Sequence, residues 1–246
     1  MPIPPTFEAR LVGTRTLSPT VRELVFDRLD GRPLQFEAGQ WVSAMLPVAN
    51  QNAPLLKRSY SIASAPERSP RFEIAVTRVS AGLGSTWLHT LEPGAQLRFD
   101  GPQGFFIRRP VGAPPSLMIA TGTGITPLRS MIRAAVAAES VAPMWLLFGV
   151  RDDADLLYGS EWRDLAARYP GFRFEPTLSR PAATWAGRRG YVQAHVRELW
   201  HTLASRGEGT PHAFVCGLQR MVGSVRDILR RDLDVAREQV HSERYD

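Results

Sequence analysis

Four short stretches of this 246-residue chain combine residue types able to do chemistry. The most specific is Thr121-Gly122-Thr123-Gly124-Ile125-Thr126-Pro127, set between an apolar run and an amphipathic one. Glycines permit a tight turn and let backbone approach a ligand closely. The helix start that follows offers unpaired N–H groups and a favourable dipole to an anion. This suits a diphosphate, although the stretch is neither a Walker loop nor G-x-G-x-x-G, and an ordinary strand-to-helix turn is the alternative. In Arg58-Ser59-Tyr60-Ser61, strand alternation puts Arg58 and Tyr60 on one face. A guanidinium grips phosphate through two donors and a flat ring covers a flat cofactor; the plainer alternative for Tyr60 is a core position. Gly82-Leu83-Gly84-Ser85-Thr86 opens a short helix, either as a simple cap or with amides free for a second phosphate. Cys216-Gly217 ends a later apolar strand, where open α/β sheets bind ligands, unless Cys216 is only a small buried hydrophobe.

These stretches need elements to hold them, and the two halves of the chain differ in rhythm. Up to about residue 110 the β-forming runs are short: 7–16, 20–26, 41–46, 59–63 and 72–79. In the last, Phe72, Ile74 and Val76 alternate with Glu73, Ala75 and Thr77, as in a strand with one buried face. Gly and Pro punctuate the runs, and a helix is expected over 85–91. This pattern predicts an antiparallel barrel or sandwich. The stretch 110–115, with three prolines, reads as a linker. Beyond it strands and helices alternate. Strands are expected at 116–120, 143–150, 172–177 and 212–216, with a last edge strand at 235–241. Helices are expected at 126–138 and 161–168, on the face of Val192, Val196, Leu199, Trp200 and Leu203, and on that of Met221, Val222, Val225, Ile228 and Leu229. Repeated β–α units imply a mostly parallel, doubly wound sheet. The expected organisation is therefore two domains, 1–110 and 111–246.

Composition narrows the function classes. Hydrophobic residues at 43% and charged residues at 22% are those of a globular protein, which argues against disorder. One cysteine leaves no disulfide framework, iron–sulfur cluster or thiolate zinc site within the chain. The five histidines form no H-E-x-x-H, and there is no G-x-S-x-G elbow, so neither a metal site nor a serine hydrolase is expected. The first residues show no basic and apolar leader, and runs such as 144–150 are too short to span a bilayer. A soluble, cytoplasmic protein is expected. The net charge of +6 suits an acidic redox partner, while no pattern for nucleic-acid binding is present.

Taken together, the stretches resemble the ferredoxin–NADP⁺ reductase superfamily over nearly the whole chain and in the family's order. Arg58-Ser-Tyr-Ser61 resembles its R-x-Y-S flavin motif, and Ile74-Ala-Val-Thr-Arg-Val79 the next flavin strand. Gly82-Leu-Gly-Ser85 is similar to G-x-x-S, Gly101-Pro-Gln-Gly-Phe105 to the motif closing the flavin domain, and Met118–Pro127 to the pyridine-nucleotide loop. Cys216-Gly217 is similar to the C-G pair beside nicotinamide, and Glu243-Arg-Tyr245 to the carboxy-terminal E-x-aromatic.

The resemblance implies a Greek-key barrel holding FAD, followed by an α/β domain binding NADP(H). It implies that Arg58 pairs with the FAD diphosphate, that Tyr60 covers one flavin face, and that Ser61 sits near flavin N5. Ala75, Val76 and Thr77 would touch the flavin, and Gly84, Ser85 and Thr86 its phosphates. Thr121, Gly122, Thr123, Gly124 and Pro127 would cradle the nucleotide diphosphate. Cys216 with Gly217, Ser61 and Glu243 would line the hydride-transfer site as positioning and proton-handling groups, with Tyr245 shielding the other flavin face. Ser179-Arg180 and the Arg189/Tyr191 element resemble the pair that holds the 2′-phosphate of NADP, which favours NADPH and leaves NADH open. Asp246 departs from relatives that end on the aromatic, placing another carboxylate beside it. The implied activity is hydride transfer between NADPH and FAD, with single electrons passed to a separate ferredoxin or flavodoxin. The alternatives are the reductase component of an oxygenase or cytochrome system, and a non-catalytic flavin- or nucleotide-binding subunit.

Overall fold

The structure is a computed structural model and describes residues 5–47, 55–140 and 142–245. Alternation of apolar and polar side chains builds the first half. In β1 (Thr6–Ser18), Phe7, Ala9 and Leu11 are buried while Thr6, Glu8 and Arg10 face out. With β2 (Val21–Arg28), β3 (Trp41–Leu46), β4 (Leu56–Ser61), β5 (Arg71–Thr77) and β6 (Gln96–Gln103) it forms one antiparallel sheet, ordered β4-β3-β6-β1-β2-β5. An antiparallel bridge between Ile62 and Ile74 joins the two outer strands and closes the sheet into a barrel. Helix α1 (Leu83–Thr90) crosses between β5 and β6. Inside, two cross-strand pairs set the register. Phe7 lies opposite Phe99 with rings stacked at 5.7 Å, and Phe26 opposite Phe72 at 5.6 Å. The pairs meet edge to face, with Phe26 and Phe72 each about perpendicular to Phe99.

Strand β6 was not among the expected strands, because only Leu97 and Phe99 alternate before Gly101 interrupts the pattern. Helix α1 starts two residues before the expected 85. Glycine at 84 masks the helical signal there, and no Cβ fits at Gly84 without pressing on Leu46.

The second half alternates strand and helix: β7 (Ser116–Thr121), α2 (Ile125–Ala137), β8 (Met144–Val150), α3 (Gly159–Arg168), β9 (Phe172–Leu178), the two-residue β10 (Arg188–Arg189), α4 (Val196–Ala204), β11 (His212–Leu218), α5 (Gln219–Asp227) and β12 (Val240–Tyr245). All strands are parallel, ordered β10-β9-β8-β7-β11-β12. Each face of the sheet carries its own core. Leu117, Ile119, Leu147 and Val215 pack against α4 and α5. Met118, Ala120, Leu146 and Phe148 pack with α2 and α3, and this core runs on into Val21, Ala38, Ala65, Ala75 and Phe106 of the barrel half. The two halves therefore share apolar packing.

The last strand corrects an expectation. Val235 is buried in the core beneath α4 and α5 and its N–H bonds to the Leu229 carbonyl, a single 3₁₀ turn follows at Arg237–Gln239, and the strand starts at Val240. The residues of β12, His241-Ser-Glu-Arg, are polar and give no apolar alternation to read.

Phe99 touches three other rings in a closed barrel that has no room to collapse. Phe99→Ala is expected to cost about 3–5 kcal/mol, read as a lowered midpoint in denaturant unfolding of the holoprotein.

Candidate active site

Strand order reverses at β7, whose chain successor β8 lies on one side and β11 on the other. Ligands of open α/β sheets bind in the crevice that such a reversal opens beyond the strand ends. Two glycines bring its walls together. A Cβ at Gly124 would lie 2.3 Å from the Cys216 carbonyl oxygen, and one at Gly217 would lie 2.3 Å from Thr121 Oγ1. Gly217 also adopts φ +147°, a conformation that L side chains avoid.

Polar groups from both halves of the chain meet in this crevice. The Tyr245 hydroxyl donates to Ser61 Oγ at 2.5 Å, and Ser61 Oγ donates to Glu243 Oε1 at 3.1 Å. Thr126 Oγ1, in the first turn of α2, lies 3.3 Å from the same tyrosine oxygen and donates to the Thr123 carbonyl. Parallel pairing sets Cys216 beside Glu243 and Leu218 beside Tyr245, so these side chains share one face. Burial pushes the Cys216 thiol well above its ordinary value, with the neighbouring Glu243 carboxylate adding to the effect. The residue therefore favours the neutral thiol. Burial likewise raises Glu243, against a smaller opposing effect of its bond from Ser61, and raises Tyr245 far above its ordinary value. Burial thus favours the neutral form of each of the three groups around Ser61.

The barrel contributes the neighbouring surface. Tyr60 packs its ring on the barrel core, and burial pushes its phenol up to about 12. Arg58 is exposed, donates to the Lys57 carbonyl, and pairs with no carboxylate among the described residues. Gly84 packs against its stem, which sets the start of α1 beside it; no side chain caps that start and no acidic residue lies in its first turn. Thr86 is exposed there. The Ser85 hydroxyl is turned into its own loop, accepting from Val79 N–H and donating to the Gly82 carbonyl. Ala75 and Val76 bury their side chains, so what they present at the strand edge beyond the Ile62–Ile74 bridge is backbone. Thr77 Oγ1 lies 3.3 Å from Thr123 Oγ1 of the nucleotide loop.

In that loop Gly122 is left-handed, with open space where a Cβ would point, and the Thr121 hydroxyl is buried without a partner. Pro127 is buried in the first turn of α2. An uncapped helix start beside an unpaired arginine, and an open glycine loop with an orphaned hydroxyl, fit two diphosphate groups. The residues therefore suit FAD on the barrel and a pyridine dinucleotide on the sheet.

Farther along the sheet ends, Arg180 is exposed and its N–H bonds to the carbonyl of Arg151, itself exposed at the end of β8. Ser179 is turned to the Val150 carbonyl. Arg189 gives one nitrogen of its fork to the carbonyls of Ala182, Ala183 and Trp185, so it braces a loop as well as facing solvent. Tyr191 is 72% exposed. Asp246 lies outside the described residues. Sequence reasoning did not single out Thr126 or Arg129 of α2. The signal for the latter was an arginine among Leu128, Met131 and Ile132 on an otherwise apolar helix face.

Fold and crevice together define a two-domain, FAD-dependent oxidoreductase that uses a pyridine nucleotide. Residues 8–107 match the family model described as an oxidoreductase FAD-binding domain, and residues 118–227 that of an oxidoreductase NAD-binding domain. The chain is 56% identical over 241 residues to ferredoxin–NADP reductase B of Sorangium cellulosum, covering 98% of each. It is 29% identical to the phenol hydroxylase P5 protein of Acinetobacter pittii, spanning 97% of this chain and 65% of that protein. The solved ferredoxin NADP⁺ reductase of Neisseria gonorrhoeae, with bound FAD and NADP, shares the fold at a TM-score of 0.80 and 20% identity, over 97% of this chain and 98% of that one. The chain belongs to the ferredoxin–NADP⁺ reductase family. Among the described residues no helix is long and apolar enough to cross a membrane, and no cluster of three His, Cys, Asp or Glu is placed to hold a metal.

The raised Glu243 carboxyl carries a pH signature. A folded-state value above the unfolded one means the folded protein binds this proton more tightly, so its contribution favours folding at low pH and is lost as pH rises through the folded value. Glu243→Gln removes that titration. The melting temperature of Glu243→Gln relative to wild type is expected to climb as pH rises above the ordinary carboxylate range and to level once the folded carboxyl has ionised. A pH-independent difference would refute the shift.

Proposed function

We propose that the enzyme oxidises NADPH in the cytoplasm and delivers the electrons singly to a separate ferredoxin or flavodoxin. The observation that carries this reading is the meeting of Ser61 from the barrel with Glu243 and Tyr245 from the sheet, beside buried Cys216. Bound FAD supplies the chemistry, accepting a hydride from reduced nicotinamide and releasing electrons one at a time. The chain supplies binding, alignment and proton handling. Arg58 and the uncapped start of α1, with Thr86 at its edge, would hold the FAD diphosphate. Tyr60 would offer a ring to one side of the isoalloxazine and Tyr245 to the other, with the edge of Ala75–Thr77 beside it. The loop Thr121–Gly124 and the start of α2 at Pro127 would hold the nucleotide diphosphate. Gly217 keeps the opposite wall close to that loop.

Ser61 Oγ both accepts and donates in this structure, so it can hold a proton at the reacting edge while Glu243, pushed toward neutrality by burial, replenishes it. Cys216 stays protonated and acts through its bulk. Apolar packing between the domains keeps water from the seam. Similarity to the Sorangium ferredoxin–NADP reductase, 56% identity over 98% of each chain, supports NADPH and an electron-acceptor protein as partners. Exposed Arg180, with Tyr191 as a stacking surface and Arg189 and Ser179 shaping the loops, supports recognition of the 2′-phosphate. The formal charge of +6 suits an acidic acceptor.

Anaerobic titration of the purified flavoprotein with NADPH and NADH at matched concentrations tests the reading. Rapid bleaching by NADPH and slow bleaching by NADH is expected. Arg180→Ala should raise the KM for NADPH roughly tenfold or more and leave that for NADH unchanged, the loss of one charge-assisted phosphate contact. Preference for NADH would overturn the NADPH assignment, and a flavin reduced by neither would overturn the enzymatic one.

A further inference from the structure

A single arginine ties the two cofactor-binding halves together at the point where their alignment matters. Arg129 sits on α2, one turn after Thr126, and is almost fully buried. Its Nη1 donates to the Ala63 carbonyl at 3.0 Å and to Glu73 Oε2 at 2.5 Å. Its Nε donates to both oxygens of Glu161 on α3, at 2.9 and 3.1 Å. Glu23 Oε1 lies 3.8 Å away, and the guanidinium lies 4.2 Å from the centre of the Tyr158 ring. Ala63 follows Ser61 by two residues, and Glu73 precedes Ala75 by two on β5. Ala63 N–H is itself bonded to the Glu73 carbonyl, so the two barrel partners form one unit.

Helix α2 thus grips residues 61–63 at two places. Thr126 reaches Ser61 through the Tyr245 hydroxyl, and Arg129 holds Ala63 directly. The same helix begins at the nucleotide loop Gly122–Gly124. We propose that Arg129 is a positioning residue for hydride transfer, which fixes the spacing between the flavin-side segment 61–63 and the nucleotide loop by bridging Ala63, Glu73 and Glu161. This rests on the reading of the crevice as a hydride-transfer site. A planar fork that meets acceptors from three elements holds its neighbours in one geometry, and a lysine's single ammonium cannot span the same three partners. Hydride transfer is steeply sensitive to such spacing, whereas electron loss from an already reduced flavin to a small outer acceptor does not use the nucleotide loop.

The experiment separates the two half-reactions of the FAD-loaded enzyme by stopped flow: reduction by NADPH, and reoxidation of dithionite-reduced enzyme by ferricyanide. Arg129→Met is paired with Glu73→Gln so that the carboxylate in closest contact is neutralised along with the cation. The limiting rate of reduction is expected to fall ~10- to 100-fold, with the half-saturating NADPH concentration and the reoxidation rate within about twofold of wild type. Arg129→Lys should restore only part of the loss. Arg133→Ala, at the exposed margin of the cluster, should stay within about twofold throughout. Reduction at the wild-type rate, an equal slowing of both half-reactions, or full recovery with lysine would each overturn the proposal. If the double variant does not retain FAD, Arg129→Lys carries the test by the same ratio. Wild-type reduction is the separate check on the parent reading, since an enzyme reduced by neither nucleotide overturns that reading whatever the variants do.

Discussion

The structure depends on one buried cation at the seam between its halves. An arginine taken out of water costs several kcal/mol unless its donors are all met, and removing one partner strands the others. Arg129 finds its acceptors only when β5, the segment after β4 and helix α3 are all in place, because Glu73, Ala63 and Glu161 come from those three elements. Apolar packing across the seam, from Ala38 and Phe106 to Met131 and Phe214, supplies adhesion but little orientation, since hydrophobic burial is non-directional. The ion cluster supplies the direction. It selects one docking of barrel on sheet from the many that the apolar surfaces would tolerate.

The crevice inherits its accuracy from that docking. Its groups come from four strand ends and one helix start, and none of the partnerships at Ser61 is local in sequence. Glycine makes the approach possible: at 124 and 217 the backbones of adjacent loops come closer than any side chain would allow. The electrostatics then follow from enclosure. The thiol, the carboxyl and the phenol are all shifted toward their neutral forms by burial.

How much of this was legible in the sequence depended on whether a residue's neighbours were near in the chain. The alternation of Phe72, Ile74 and Val76 and the apolar runs at Leu117–Ala120 and Trp145–Phe148 announced their strands, because one-sided or two-sided burial leaves a period in the sequence itself. The glycine-rich loop and Arg58-Ser-Tyr-Ser61 were visible as motifs, and the two-domain order followed from the change of rhythm near residue 110. Strand β12 was misplaced because its side chains are polar where a core strand would show apolar residues. Arg129 was missed since its reason for being on an apolar helix face lies in glutamates 56 residues earlier and 32 residues later. The inward turn of the Ser85 hydroxyl and the bracing role of Arg189 are likewise local hydrogen-bond choices that residue type alone leaves open.

The pairing of Ser61 with Glu243 spans 182 residues and that with Tyr245 spans 184. Closing contacts of such long range carry a large loop entropy and form only after the nearer ones have reduced it. The barrel can therefore close before the contacts at Ser61 form, since their partners arrive with an edge strand held by a single neighbour, β11. Competence is gained at the end of folding and is the first thing a fraying edge would surrender. Under the proposed reading, a copy whose last strand has not docked lacks Glu243 and Tyr245 at Ser61, so partly folded chains are idle and not leaky.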